Sequence, residues 1–181
     1  VSAENTTQLV LVLLAAALLF AALGWLRNGE AVGPPLAVVA LAAAAVVAAT
    51  ADDLAAGRWA ATVLVALCGA LAVAGGGPLT TRVFTIVDRQ DSARQSIDQA
   101  AAVLRGGAWI GGLERLAVFA GLAAGFPEGV AVVLALKGVG RFPDLRKEDG
   151  GGAATERFII GTFTSVLWAA GCAGMVALVL R

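Results

Sequence analysis

Six apolar blocks run along the chain, each cut off by a short polar, charged or glycine-rich stretch. A membrane-spanning helix needs roughly 20 mainly apolar residues, with a range of about 17–25. Gln8–Leu26 meets that requirement and stops at the polar run from Arg27 to Glu30. Glu4 precedes it with no basic residue, whereas a secretory leader begins with positive charge, so this block reads as a retained first span. Pro34–Thr50 follows, with prolines in its first turn, where a missing N–H does no harm. Asp52 and Asp53 lie just beyond it. Trp59–Gly77 opens on an interfacial tryptophan, and the run "GGGP" from Gly75 to Pro78 closes it. Gly107–Phe126 is the fourth block, Glu128–Phe142 a short fifth, and Ala153–Leu180 a long sixth. The pattern predicts an all-α, polytopic membrane helix bundle: one domain over residues 1–181 with six transmembrane helices.

Thr85–Arg105 has another character. Ile86, Ala93, Ile97, Ala100 and Leu104 recur at helical steps, while Arg89, Asp91, Gln95 and Asp98 take other faces. That is an amphipathic helix, lying along the membrane surface or extending the fourth span. The stretch from Pro143 to Ala154 is charged and glycine-rich, a solvated linker.

Composition agrees with the pattern. The 181 residues are 59% hydrophobic and 14% charged, against about 45–50% and 25% in soluble domains. Thirteen basic and thirteen acidic residues cancel, which gives no reason to expect a nucleic-acid partner. With no histidine, a histidine metal site and a histidine general base are both excluded. Cys68 and Cys172 sit mid-block, where thiols usually just pack. No metal, no cofactor and no catalytic residue is expected, and a non-enzymatic protein is the reading. Loop charges set the orientation. An N-out, C-out arrangement puts Arg27, Arg82, Arg89, Arg94, Arg105, Arg141, Arg146, Lys147 and Arg157 on the inner side, and only Arg58 and Arg181 outside. A re-entrant fifth block would move the C-terminus inside.

The best functional lead is the charge held within the fourth and fifth blocks. With Pro127 as the turn, Glu114 lies thirteen residues before it and Arg141 fourteen after, both about 20 Å from the turn by helical rise. Lys137 is one turn deeper on the face of Arg141. Glu156 and Arg157 mark the inner start of the sixth span, with Thr162 and Ser165 one to two turns farther in. Charges in mid-membrane cost at least about 2.5–3.5 kcal/mol each and therefore face a partner or a cavity. Two readings follow: the charges pair and pin helices together, or the cations Arg115, Lys137, Arg141 and Arg157 outnumber the two glutamates and attract an anion. Arginine suits phosphate geometry. Gly107 with Gly111, and Gly121 with Gly125, have the GxxxG spacing of close helix packing, within one chain or in a homo-oligomer.

The stretches "IGGLERLAVFAGL", "ALKGVGRFPDL" and "TERFIIGTFTSVLWA" resemble the C-terminal half of a bacterial integral-membrane protein family of unknown function. The likeness rests on Leu113, Glu114, Arg115, Lys137, Arg141, Phe142, Glu156, Ile160, Gly161, Thr162 and Ser165, and covers roughly Gly107–Ala169. The N-terminal half lacks the histidine and aspartate element of that family. The resemblance implies a bacterial cytoplasmic membrane protein and groups these residues; it supplies no activity. Two functions remain. The first binds or transports an anionic lipid headgroup or small anion from the inner leaflet. The second is a structural or accessory subunit of a larger membrane complex.

Overall fold

A computed structural model of the chain describes residues 3–26, 28–51, 54, 57–88, 107–145 and 151–180, with backbone alone at 88, 141–145 and 151–154. Six helices occupy these residues: α1 (Ala3–Leu23), α2 (Gly33–Thr50), α3 (Arg58–Asp88), α4 (Gly107–Ala123), α5 (Glu128–Leu145) and α6 (Gly151–Val179). Each covers most of one apolar block, and α5 and α6 extend by a few residues into the stretch 143–154 expected as a linker. Four of them, α1, α2, α3 and α6, are long and apolar enough to cross a membrane. Helix α4 has only 17 residues, and α5 carries Lys137 and Arg141. The architecture is thus an all-α membrane bundle with four helices of clear spanning length and a shorter, charged hairpin.

The packing follows from side-chain size. Val10, Leu14, Ala17 and Ala21 form the buried stripe of α1 at helical steps. Helix α2 answers with Ala37, Ala40, Ala44 and Ala48, small residues that let two backbones approach closely where lipid offers no hydrophobic driving force. Helices α3 and α6 meet through Leu64, Cys68, Leu71, Ala169, Cys172 and Val176, all buried. The outward positions, such as Val12, Leu19, Val39, Val46, Leu136 and Leu167, are exposed and apolar, as a lipid-facing surface requires. Trp59 and Trp109 are each 78% exposed near the starts of α3 and α4, the positions of an interfacial aromatic belt.

Successive helices alternate in direction. The end of α1 meets α3 beyond its middle, where Trp25 Nε1 donates to the Ala74 carbonyl at 2.9 Å. The beginning of α6 meets the end of α3, where Gly161 faces Phe84. The hairpin therefore leaves and returns on one side, the side of the arginine-rich connections. The described chain ends, Ala3 and Leu180, lie at the other side.

The largest difference from the sequence expectation is the end of α3. The "GGGP" run does not close the third helix: α3 continues through Gly75–Pro78 to Asp88. Thr85–Asp88, the start of the expected surface helix, belongs to α3, while residues 89–105 of that segment lie outside the described residues. The 31 residues of α3 measure about 46 Å at 1.5 Å per residue, well beyond a hydrocarbon core of about 30 Å.

Continuation through a proline has a local explanation. Pro78 has no N–H, so the carbonyl of Ala74, four residues back, loses its helical donor. The Trp25 indole supplies the replacement. Trp25→Phe should consequently leave a carbonyl without a donor, a loss of about 1–3 kcal/mol. In a Pro78→Ala background, the restored N–H serves the same carbonyl and the loss should drop below about 1 kcal/mol. Denaturant titration of the four proteins in detergent measures this cycle. Equal losses in both backgrounds would contradict the substitution of one donor for the other.

Candidate functional site

Helix α4 buries Arg115, Val118 and Phe119, a three- and four-residue spacing that turns one face toward α3 and α6. Glu114, one position earlier, points toward α5 and forms an ion pair with Lys137. The two side chains are 18% and 20% exposed. Arg141, which the hairpin arithmetic puts level with Glu114, has its side chain outside the described residues.

Arg115 behaves differently from the other cations. It is 7% exposed, and among the described residues its hydrogen bonds run to neutral acceptors: Nε donates to the Val73 carbonyl at 3.1 Å and Nη1 to Ser165 Oγ at 3.4 Å. Glu114, Arg115 and Lys137 together therefore hold one surplus positive charge. These three residues, with Val118, Val133, Leu134, Ser165 and Val166, line a crevice between α4, α5 and α6 of about 10 Å³, room for about one water. Thr162 stands one turn from Val166 on the same side of α6, and its buried hydroxyl has no hydrogen-bond partner. Trp109 lies six residues before Arg115 on α4, about 9 Å nearer the arginine-rich side. The cluster thus lies one to two helical turns below Trp109.

Other expected site residues lie elsewhere. Glu156 is exposed and Arg157 half-buried, about 12–14 Å along α6 from Ser165 by helical rise. Gly121 and Gly125 shape the hairpin turn: Phe126 N donates to Gly121 O at 2.8 Å and Gly125 N to Leu122 O at 3.1 Å. Gly125 has φ of 75°. This is a Schellman ending, which uses glycine because the left-handed conformation is costly for other residues. Gly111 lies beside Arg115 Nη1, 3.3 Å from where a Cβ would stand, and Gly107 opens α4. Cys68 and Cys172 are buried free thiols. Among the described residues, no cluster of three histidine, cysteine, aspartate or glutamate side chains is arranged to hold a metal.

A second feature escaped the sequence reading. Three side chains from three different elements dock on the glycine run of α3. A Cβ at Gly75 would stand 2.5 Å from the Trp168 ring, one at Gly76 2.3 Å from Arg115 Cδ, and one at Gly77 3.1 Å from the Trp25 ring. Each docked side chain donates to a nearby α3 carbonyl, Trp168 Nε1 reaching Leu71 O at 3.0 Å. The signal in the sequence was three consecutive glycines inside an apolar block, which usually reads as a terminator.

These features define a class: a small multi-pass helical membrane protein with a polar cluster built between its hairpin and its two longest helices. Compared with family models, curated proteins and solved structures, the chain matches none.

Proposed function

We propose that the α4–α5–α6 crevice binds the phosphate of an anionic lipid on the arginine-rich side, which the positive-inside rule makes the cytoplasmic leaflet. In this reading the hairpin crosses fully, giving six spans with both termini outside. The observation that supports binding is the surplus charge. Arg115 is buried against neutral acceptors, while Glu114, the adjacent carboxylate among the described residues, is engaged by Lys137. A buried cation in lipid calls for a counter-charge, and Lys137, a fifth exposed, offers the approach. The phosphate docks at the crevice mouth.

A second reading has its own support. The crevice has room for about one water, and the contacts of Glu114, Lys137 and Arg115 are all internal. On this reading the cluster pins helices together in a structural or accessory subunit. Its partner would be a larger membrane complex or a second copy of the chain.

Charge separates the two. Glu114→Gln raises the surplus from one to two, and Lys137→Met removes it. Preference for phosphatidylglycerol over phosphatidylcholine, measured by native mass spectrometry, should rise in the first variant and vanish in the second. Displacement by millimolar inorganic phosphate would identify a free anion as the ligand in place of a headgroup. Equal lipid preference in wild type and both variants would overturn the binding reading and leave the structural one.

A further inference from the structure

We propose that Cys68, Cys172 and Met175 form a binding site for a soft monovalent metal ion, copper(I), in the α3–α6 interface. The site is separate from the polar crevice and does not depend on the phosphate-binding reading.

Two contacts set the register of these helices. Gly161 meets Phe84, and a Cβ at Gly75 would stand 2.5 Å from the Trp168 ring, so α3 and α6 run antiparallel. Trp168 Nε1 also donates to Leu71 O of α3. From the Gly75–Trp168 contact, seven residues toward the side of the chain ends lead to Cys68 on α3 and to Met175 on α6. Seven residues make two turns on one helix face, a rise of about 10 Å. Cys68 and Met175 therefore stand opposite one another, with Cys172 one turn before Met175 on the same stripe. A helical methionine leans back toward the N-terminus of its helix, which carries this thioether toward Cys172. Both cysteines are fully buried and Met175 is 2% exposed. The two thiols lie within electrostatic reach of each other.

Three sulfurs in one place make a soft donor set, which selects copper(I) over hard cations. The chain has no histidine, and among the described residues no carboxylate completes a group of three with the thiols. Structural zinc takes four ligands, more than this set offers, whereas a soft monovalent ion is held by two or three sulfurs. No cavity is needed. Metal–sulfur bonds of about 2.3 Å put the sulfurs of a trigonal set about 4 Å apart, the separation of packed side-chain atoms. Charge balances as well. One thiol loses its proton to solvent as the ion binds, a sulfur–metal bond replaces the S–H bond, and the neutral site stays neutral. The second cysteine and Met175 add lone pairs, and the metal keeps its oxidation state. Met175 adjoins exposed Gly174, where a Cβ would meet nothing within 4 Å. Its flexible thioether can turn outward there to collect the ion.

The test titrates the reduced full chain, in detergent under nitrogen, with copper(I) held by bicinchoninate as competitor. The wild type should take up one copper per chain, with two or three sulfurs as its near neighbours in X-ray absorption. Cys68→Ala and Cys172→Ala should each weaken uptake by at least about 100-fold, the upper range for loss of an outer-shell partner alone. Met175→Leu conserves volume and should weaken it by about 10-fold; it tests the site even where a cysteine variant does not fold. Silver(I), a redox-inert stand-in, should raise the melting temperature of the wild type and leave the double cysteine variant unmoved. Uptake that survives both cysteine substitutions is metal held elsewhere and overturns the site. Unchanged affinity in Met175→Leu overturns the three-sulfur assignment. Air oxidation that links Cys68 to Cys172, with no copper(I) uptake by the reduced chain, makes the thiols a redox pair and overturns the proposal.

Discussion

Glu114→Gln is expected to destabilise the detergent-solubilised protein by about 3 kcal/mol, near the lower end of the range for breaking one side of a buried ion pair. The variant leaves Lys137 without its carboxylate and removes the negative charge of Glu114 that acts on neighbouring Arg115. About a fifth of each side chain's surface is open, so burial of the pair is incomplete and the lower end of that range applies. Removing both partners of a buried pair is often close to neutral. Lys137→Met added to Glu114→Gln should therefore recover most of the stability. Thermal unfolding and denaturant titration of the two single variants and the double variant measure the coupling. A Glu114→Gln protein within about 0.5 kcal/mol of wild type, the ordinary effect of a surface change, would mean the pair is solvated and holds nothing together. The same variant is predicted above to bind anionic lipid more strongly while being less stable, an opposition that general unfolding cannot produce.

Gly75→Ala is expected to cost about 1–3 kcal/mol by overpacking, with a further ~1 kcal/mol if the Trp168 hydrogen bond is lost. The added methyl would stand 2.5 Å from a ring carbon of Trp168 and 2.8–2.9 Å from two more ring atoms. Trp168 is itself 6% exposed, so the rigid indole has no free space into which to retreat. Helical glycines elsewhere provide the control. At Gly138 and Gly174 a Cβ would meet nothing within 4 Å, and alanine there should stabilise by about 0.5–1 kcal/mol through helix propensity. Melting temperatures of the three variants decide the matter. A Gly75→Ala protein as stable as Gly174→Ala would show that the indole does not occupy the site.

Much of the candidate site could be read from the hairpin alone. A single turn at Pro127 and a fixed rise per residue put Glu114 level with Arg141 and within about one turn of Lys137, and the ion pair forms with Lys137. The role of Arg115 could not be read the same way. One residue of rotation about α4 separates a side chain facing α5 from one facing α3, and chain position does not say which helix lies in which direction. The spacing of Gly121 and Gly125 was equally silent about use: it suits helix packing and a Schellman ending alike, and the hairpin turn makes it the latter.

The sequence by itself determined that this is a membrane protein of apolar helices and where those helices lie, because hydropathy is a local sum over about twenty residues. It also showed which charges remain inside the apolar blocks. Only the tertiary structure decided that α3 passes through Gly75–Pro78. In isolation that run has every mark of a helix ending. Inside a bundle without water, the carbonyl that Pro78 leaves without a donor must find one within the protein, and Trp25 brings it to Ala74 O from a place distant in sequence. That contact spans 49 residues of chain, a range over which no local pattern carries information.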